Sequence, residues 1–513
     1  MNRPHYTPSM PYLGKQREVI EDHWHERIWA ILGRPGTGKT KMTLDHACMQ
    51  YMAGMIEALI VIAPNGVHRQ WVDEAMPVHV PGSVPWRGGV YDSGIGKRAL
   101  EDVERIFSSR NMGLRALGIS FEGLQTKKGR ELARRIVNAF RTFVVVDESH
   151  KVSNTKTGGY KAVREIARLA YTKRIATGTL IRQNPFSAYG QFELMGDGLL
   201  GFASLTSFRS QYAELLPPSN GLVRHIAKGI EERTGRKFNP QILARDADGK
   251  ILYRNLGDLR RRLERFSSIL SLADVNGTEP TILQSSRYVQ LTPVQRQLYD
   301  DLVQYGVAQA PGGQLTADSS LALSTRLAQV VGGFAPSDDD PNARPLEGEN
   351  PKLQELLEVA EELCDQKLLV WCKFKAELRL VANVLRERYG ASSVVEYHGD
   401  VVDRDRRAAK QAFREDPGVR FFIGQQKAAG TGLDGLQAVA DYMVFYSNDY
   451  PYVEREQAVA RLARTGGRNT CNVIDLMAEN TIDQDIVRCM QNAQDVTDAV
   501  LRNSFKRVDR RPC

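Results

Sequence analysis

The residues best suited to chemistry lie in the segment IWAILGRPGTGKT, where an apolar run leads into a glycine-rich turn. Four residues separate Gly33 from the run Gly-Lys-Thr at 38–40, which is the spacing of a phosphate-binding loop (P-loop). The glycines let backbone N–H groups turn toward phosphate oxygens, Lys39 offers a cation to the β- and γ-phosphates, and the Thr40 hydroxyl can ligate Mg²⁺. The pattern indicates a nucleoside triphosphatase without specifying its kind. The nucleotide-binding residues predicted from the loop are Gly33, Pro35, Gly36, Thr37, Gly38, Lys39 and Thr40.

A second segment, FVVVDESH, ends an apolar run with Asp147 and Glu148. In P-loop enzymes the first acid of such a pair holds magnesium. The second is placed to polarise the attacking water. Both carboxylates need the rigid exit of a central strand, because they must face the γ-phosphate that Lys39 binds. We therefore predict Thr40 and Asp147 as metal ligands. Glu148 is the predicted catalytic acid.

A parallel sheet is needed to bring these two segments together. Between residues 28 and 200, short apolar runs alternate with segments of helical spacing, which is the pattern of buried parallel strands joined by crossover helices. The segments 39–51 and 130–140 have the length and apolar spacing of such helices. The predicted strands of this region are 28–32, 59–63, 117–120, 143–146 and 174–176.

A second alternating region follows in the C-terminal half of the chain. Its predicted strands are 367–372, 393–397, 420–423, 442–446 and 471–475. The sequence therefore predicts an α/β protein with two parallel-sheet lobes and a helical insert between them. The predicted domains are an N-terminal ATP-binding lobe at 1–200, a basic helical insert at 201–280, a loop-rich linker with one helix at 281–350, a second lobe at 351–495 and a polar tail at 496–513.

The insert is basic, with 13 Lys and Arg residues against 9 Asp and Glu residues. Four of its arginines share a segment of helical spacing, which is either a solvated helix face or a nucleic-acid contact surface. These four are Arg260, Arg261, Arg262 and Arg265.

Composition excludes several classes of protein. The chain has 513 residues, of which 42% are hydrophobic and 25% charged, and these values argue against disorder throughout. The net charge of +8 permits a nucleic-acid partner without indicating one. Six cysteines without a CxxC pair indicate neither a disulfide framework nor a zinc ribbon. The start of the sequence lacks the apolar core of a signal peptide, and no run of about 18 apolar residues occurs. We expect a cytoplasmic protein with no membrane partner.

The order of the motifs resembles the superfamily 2 helicases. GRPGTGKT, VIAPNGVHRQW, VVVDESH and ATGTLIRQNP are followed by KLLVWCKF, EYHGDVVDRDRR, GQQKAAGTGLDGLQAVADYMVFY and QAVARLARTGGR. The series looks specifically like the Swi/Snf-type branch of double-stranded DNA translocases, with a DESH version of the DEAD/DEAH-box motif. The resemblance covers about residues 10–490. It implies two RecA-like lobes, the cofactors ATP and Mg²⁺, and a compact protein of a bacterial cytoplasm or a phage-infected cell.

The resemblance also implies roles for individual residues. Gln16 looks like the upstream glutamine that reads adenine. Thr177 and Thr179 look like the motif that links hydrolysis to lobe closure. Gly430, Thr431 and Gly432 look like the motif that joins DNA contact to the nucleotide cleft, so Gly432 is included among the nucleotide-binding residues. The last motif, in which two arginines reach the γ-phosphate, matches Gln457, Arg461 and Arg464.

The sequence departs from the family pattern at two motifs. The family usually has proline where this chain has Leu180, and losing the proline removes a backbone constraint from the coupling motif. The position before the second arginine finger is often histidine, and here it is Ala463. Neither departure removes a catalytic group.

The predicted nucleic-acid contacts are backbone-facing polar residues, so binding should be independent of base sequence and sensitive to salt. The leading hypothesis is an ATP hydrolase that moves along double-stranded DNA. Two alternatives stay open, which are a strand-separating DNA or RNA helicase and an ATP-gated clamp that binds nucleic acid without travelling. The predicted contact residues are Asn65, His68, Ser120, Lys373, Gln425, Lys427 and Thr431.

Overall fold

The chain folds into two compact units, which are described separately. The first runs to Gly277 and takes up the chain again from Asn492, and the second is Thr278–Gln491. The computed structural model describes residues 3–501 except 109–112, 182–183, 236, 238–239, 248–249, 311–312, 337, 339–343, 347, 427, 429–432, 434, 450–451 and 464–469.

The first unit contains a seven-stranded sheet in which every pairing is parallel. Its strands are β1 Ile28–Gly33, β2 Ala58–Ala63, β3 Trp86–Tyr91, β4 Leu114–Ser120, β5 Thr142–Asp147, β6 Thr172–Thr177 and β7 Ser267–Leu270. They lie in the order β3-β4-β2-β5-β6-β1-β7. The strand that leads into the P-loop and the strand that ends in the acid pair are therefore separated only by β6, and their carboxyl ends share one edge of the sheet.

Helices cover both faces of this sheet. Along β1, Ala30 and Leu32 belong to one hydrophobic cluster while Trp29 and Ile31 belong to another, because successive strand residues point to opposite faces. Residues 71–75 form a π-helix between two short α-helices. The helices are α1 Gln16–His23, α2 Lys39–Met52, α3 Val67–Gln70, α4 Met76–His79, α5 Lys97–Ser108, α6 Phe121–Gln125, α7 Lys127–Ala139, α8 Gly158–Leu169, α9 Ser187–Glu193, α10 Leu205–Tyr212, α11 Gly221–Thr234, α12 Leu256–Glu264 and α13 Leu272–Asn276.

All five strands predicted for this region are present, but the pattern missed β3 and β7. Two glycines interrupt the apolar character of β3, and a side chain at the first of them, Gly88, would place its Cβ 2.7 Å from Val72 Cγ1. The helical region 201–280 contributes β7, which pairs in parallel with β1. In α12 the arginines form ion pairs within the helix, as Arg260 with Glu264 and Arg262 with Asp258, which favours the solvated-face interpretation.

The second unit is built round a six-stranded parallel sheet in the order β14-β15-β13-β16-β17-β8. The strands of this unit are β8 Thr281–Val289, β9 Val307–Ala310, β10 Gly313–Thr316, β11 Phe334–Ala335, β12 Arg344–Pro345, β13 Leu368–Cys372, β14 Val394–Tyr397, β15 Phe421–Gln425, β16 Tyr442–Phe445 and β17 Thr470–Ala478. The helices are α14 Pro293–Tyr305, α15 Ser320–Val331, α16 Pro351–Glu362, α17 Lys375–Tyr389, α18 Asp403–Glu415 and α19 Tyr452–Val459, and α20 Ile482–Leu501 begins in this unit. The two sheets confirm the predicted α/β fold class with two parallel-sheet lobes.

The start of the predicted linker is a strand of the second sheet. All nine residues of β8 pair with β17, from Thr281 opposite Thr470 to Val289 opposite Ala478. Most side chains of β8 are exposed because it is an edge strand, so it lacks the continuous apolar run that predicted the central strands. No helix in the part of the chain that the structure describes is both long and apolar enough to cross a membrane.

A buried arginine ties α1 to the first sheet. Arg174 on β6 is 1% exposed, and burial lowers its pKa to about 9. Its guanidinium donates to the carbonyl oxygens of His23 at 3.2 Å and Glu26 at 2.6 Å, and it lies 5.2 Å from the ring centre of Phe143. The contact fixes the end of the helix whose first residue is Gln16.

We expect Arg174→Met to lower the free energy of unfolding by about 2–4 kcal/mol, because it leaves buried carbonyl oxygens without donors. Urea unfolding followed by circular dichroism measures the change. Arg168→Met is the matched control, since Arg168 is a surface residue whose ion pair with Asp197 contributes at most about 1 kcal/mol. Equal losses in both variants would contradict the structural role of Arg174.

Candidate active site

The P-loop joins β1 to α2 in the backbone geometry that phosphate binding needs. Gly36 and Gly38 have φ angles of +92° and +82°, a region that favours glycine. Lys39 begins α2, and its ammonium donates to the carbonyl oxygens of Gly33 at 2.8 Å and Arg34 at 3.2 Å. Among the residues that the structure describes, no side chain caps the start of α2, and the first N–H groups of a helix are suited to binding an anion.

The loop has no room for side chains where the motif has glycine. A Cβ at Gly33 would lie 2.7 Å from Thr37 Oγ1 and 2.9 Å from the Leu270 carbonyl oxygen. The buried Thr37 hydroxyl donates to the Arg34 carbonyl at 2.9 Å, which closes the turn from inside. This cradle of backbone groups, with Lys39 at its end, fits the triphosphate tail of a nucleotide.

Gln16 lies against the loop at the start of α1. Its side chain is 3% exposed, and the amide nitrogen donates to the Thr37 carbonyl at 3.0 Å. The amide oxygen accepts the Leu13 backbone N–H at 3.0 Å. A Cβ at Gly38 would lie 2.4 Å from this amide nitrogen. Gln16 therefore holds the P-loop in place, and its role in reading adenine stays a prediction.

The acid pair stands at the carboxyl end of β5. Asp147 Oδ2 accepts the indole N–H of Trp71 at 2.7 Å, and Oδ1 accepts the backbone N–H of Glu148 at 2.9 Å. Glu148 has a φ of +48°, which turns the chain sharply at the end of the strand. Burial and the neighbouring Glu148 charge raise the pKa of Asp147. Burial also acts to raise the pKa of Glu148, but the contacts with His150 and Lys39 outweigh it and hold that pKa well below its usual range.

A chain of polar contacts joins the acid pair to the end of β6. His150 Nδ1 lies 3.2 Å from Glu148 Oε2 and 3.0 Å from Thr177 Oγ1. Thr177 Oγ1 in turn accepts the backbone N–H of Thr179 at 3.1 Å. The His150 imidazole therefore links the predicted coupling motif to the predicted catalytic acid.

The coupling motif also touches the P-loop. A Cβ at Gly178 would lie 3.2 Å from Pro35 Cδ and 3.3 Å from the Gly33 carbonyl oxygen. Leu180, which stands where the family usually has proline, is fully buried, and its carbonyl accepts the Gln191 amide at 2.7 Å. Contacts from α9 thus restrain the segment that the missing proline leaves unconstrained.

The donor set on this edge of the sheet suits magnesium. Thr40 lies in the first turn of α2, and Asp147 supplies a carboxylate. Mg²⁺ is commonly bound by one or two carboxylates together with substrate phosphates. Among the described residues no cluster of three or more His, Cys, Asp or Glu side chains could hold a metal ion.

Two of the predicted nucleic-acid contacts in the first unit are buried side chains. His68 is 1% exposed, and its Nε2 lies 2.9 Å from Asp92 Oδ1. Ser120 is 4% exposed and caps α6 by accepting the Gly123 N–H at 2.9 Å. Both side chains have partners within the protein, and their contact with nucleic acid stays a prediction. Asn65 is exposed, as its predicted role requires.

In the second unit, two of the predicted nucleic-acid contacts lie together at the ends of β13 and β15. Gln425 donates its amide to the Lys373 carbonyl at 3.2 Å, and the Lys373 ammonium lies 3.3 Å from Asp449. The remaining predictions of this region lie outside the described residues, and they are Lys427, Gly430, Thr431 and Gly432.

The predicted arginine-finger motif lies in and after α19. Gln457 and Arg461 are each 8% exposed, and Arg464 lies outside the described residues. Arg455, which the sequence did not indicate, anchors the helix by a bidentate pair with Asp475 at 2.6 and 2.7 Å. This buried pair fixes the orientation of α19, the helix that carries the first part of the motif.

Sequence reasoning also missed the hydrogen bond from Trp71 to Asp147. Trp71 is 2% exposed, so its indole lies in the core of the first unit. Its polar partner depends on the strand order, because α3 follows β2, and β2 lies beside β5. The only local signal was a tryptophan shortly after an apolar strand, and the sequence does not show that this strand lies beside the one ending in Asp147.

Comparison with known proteins agrees with the motif series. Residues 350–466 match the family model of the helicase conserved C-terminal domain. The TATA-binding protein-associated factor MOT1 of Saccharomyces cerevisiae is 23% identical over 402 residues, which cover 70% of this chain and 20% of that protein. The DNA repair and recombination protein RAD54-like of Gallus gallus is 22% identical over 473 residues, which cover 84% of this chain and 57% of that protein.

The chain thus spans from a fifth to somewhat over half the length of these relatives. Among solved structures, it is similar to the Sulfolobus solfataricus SWI2/SNF2 ATPase core in complex with dsDNA. The sequence identity is 17%, the TM-score is 0.38, and the match covers 97% of this chain and 98% of that one.

Proposed function

We propose that the chain is a Swi/Snf-like member of the superfamily 2 helicases, which hydrolyses ATP and uses the energy to move along double-stranded DNA. The observation that carries the proposal is that the P-loop with Lys39, the acid Glu148 and the coupling motif with Thr177 follow strands whose carboxyl ends share one edge of the sheet. The names of the two relatives refer to DNA repair and to a TATA-binding protein, which favours DNA over RNA as the nucleic acid.

The chain's own groups account for the hydrolytic step. The P-loop backbone and Lys39 bind the phosphates, and Thr40 and Asp147 hold the metal. Bound Mg²⁺ supplies charge stabilisation at the phosphate oxygens. Glu148 stays ionised at neutral pH because its pKa is held low, so it can orient a water and accept its proton.

Coupling to movement follows from the contact chain. The His150 imidazole lies 3.2 Å from the Glu148 carboxylate and also contacts Thr177, so it can relay a change of charge at Glu148. The segment that follows Thr177 packs on the P-loop at Gly33 and Pro35. A change at the γ-phosphate therefore reaches the coupling motif by two short routes, which is the requirement for a nucleotide-driven conformational cycle.

Two arginines complete the proposed catalytic set. We expect Arg461→Ala and Arg464→Ala each to lower the DNA-stimulated kcat for ATP by roughly 10³-fold while changing ATP affinity little, because a finger arginine acts on transition-state charge. Steady-state kinetics and a nucleotide-binding titration measure the two quantities. Arg404→Ala is the matched control, since Arg404 is an exposed arginine of α18. A variant that loses affinity and keeps its kcat would contradict the finger role.

Displacement of a DNA triplex tests the proposed movement. A third strand annealed to duplex DNA should be released by the protein with ATP, and a forked duplex of the same length should stay paired. Unwinding of the fork would favour a strand-separating helicase. Binding without release of either strand would favour an ATP-gated clamp. Phosphate contacts by exposed residues such as Asn65 also predict weaker DNA binding as the salt concentration rises.

A further inference from the structure

The Asp147 carboxylate has a partner outside the P-loop and the acidic motif, the Trp71 indole, which accounts for its orientation. Its Oδ2 accepts the Trp71 indole N–H at 2.7 Å while Oδ1 accepts the backbone N–H of Glu148 at 2.9 Å. A carboxylate offers roughly four lone-pair sites, so two fixed donors define its plane and leave sites free for other ligands. The indole is 2% exposed, and water does not compete with it at this contact.

The backbone that carries Trp71 is itself held rigidly. Residues 71–75 form a π-helix, which changes the direction of the side chains relative to a continuous α-helix. A Cβ at Gly118 would lie 2.6 Å from the His68 carbonyl oxygen, and a Cβ at Gly88 would lie 2.7 Å from Val72 Cγ1. The helical segment therefore packs directly on the backbone of β4 and β3, and the indole cannot withdraw from Asp147 without unpacking it.

We propose that Trp71 is a positioning residue that orients the Asp147 carboxylate for magnesium, an inference that rests on the proposed ATPase site. A donor behind a metal-binding carboxylate sets its direction, and losing such a partner typically costs 10–100-fold in metal affinity. Without the indole N–H, the backbone N–H of Glu148 is the donor that remains. One donor lets the Asp147 carboxylate rotate about the bond that joins it to the rest of the side chain. Trp71 therefore affects the affinity for Mg²⁺ through the Asp147 carboxylate.

Trp71→Phe keeps an aromatic ring and removes the donor. We expect the free Mg²⁺ concentration needed for half-maximal binding of a fluorescent ADP analogue to rise roughly 10–100-fold. Trp29→Phe is the matched control, because Trp29 is also buried in the first unit and donates its indole N–H to Ser268 Oγ at 2.9 Å. An unchanged Mg²⁺ dependence in a folded Trp71→Phe protein, or an equal rise in both variants, would overturn the inference.

A measurement on the wild-type protein avoids dependence on the folding of that variant. The five tryptophans give indole ¹⁵N–¹H signals that Trp→Phe substitutions at the other four positions assign by elimination. We expect the Trp71 signal to shift when Mg²⁺ is added to the ADP-bound protein and the Trp29 signal to stay in place. A stationary Trp71 signal in a protein that binds Mg·ADP would overturn the inference. A wild-type protein that binds no nucleotide would instead refute the proposed function.

Discussion

Replacement of Glu148 by glutamine should leave a protein that binds ATP and hydrolyses it about 10²–10⁴ times more slowly. Glutamine keeps the shape of the side chain and tolerates the φ of +48° as well as glutamate does, so the turn after β5 is preserved. What it loses is the ionised carboxylate, whose pKa is held low beside His150 and Lys39. Single-turnover hydrolysis, compared with equilibrium ATP binding, separates the chemical step from affinity.

The matched control for this variant is Glu193→Gln. Glu193 is a buried carboxylate of α9 that accepts the Gly198 N–H at 2.6 Å and has no proposed part in hydrolysis. We expect it to affect stability more than turnover per folded molecule. If Glu148→Gln hydrolysed ATP at the wild-type rate, the water-activating role would belong to another group.

Replacement of Lys39 by alanine should abolish ATP turnover, with a fall of at least about 10³-fold. The ammonium lies on the carbonyl oxygens of Gly33 and Arg34 in the P-loop, whereas the next cation of α2, Lys41, pairs with Asp45. Its loss removes the charge that opposes the β- and γ-phosphates. Turnover of ATP at saturating concentration is the measurement.

Lys41→Met controls for the removal of a lysine from the same helix. The Lys41 ammonium pairs with the buried Asp45 at 2.6 Å, away from the loop. This variant should be less stable but should keep its turnover per folded molecule. Equal loss of turnover in both variants would indicate that the Lys39 effect is structural, and normal turnover in Lys39→Ala would refute the P-loop assignment.

The sequence sufficed for features whose signal is local. The P-loop was predictable because glycine spacing and the following helix lie within 20 residues, and the buried central strands were predictable from their apolar runs. The edge strand β8 was not, since its side chains are largely exposed. The glycine-containing β3 was missed because close packing on Val72, rather than an apolar pattern, determines its composition.

Site contacts between residues that lie far apart in the sequence could not be predicted from it. His68 was predicted to contact nucleic acid, but its partner Asp92 follows the unpredicted strand β3, so its burial had no local signal. Ser120 was more accessible to reasoning, because serine directly before a helix is a common N-cap. The Trp71 contact with Asp147 required the order of the strands, which motif spacing does not contain.

The most direct test of the central claim is the steady-state ATPase rate measured without nucleic acid and with single-stranded DNA, double-stranded DNA or RNA, with Glu148→Gln as the blank. If the P-loop hydrolyses ATP to drive movement on duplex DNA, the ATPase rate should be low without nucleic acid. Double-stranded DNA should raise that rate strongly above the rates in the other three conditions. A rate that is the same in all four conditions, or one that Glu148→Gln does not remove, would contradict it.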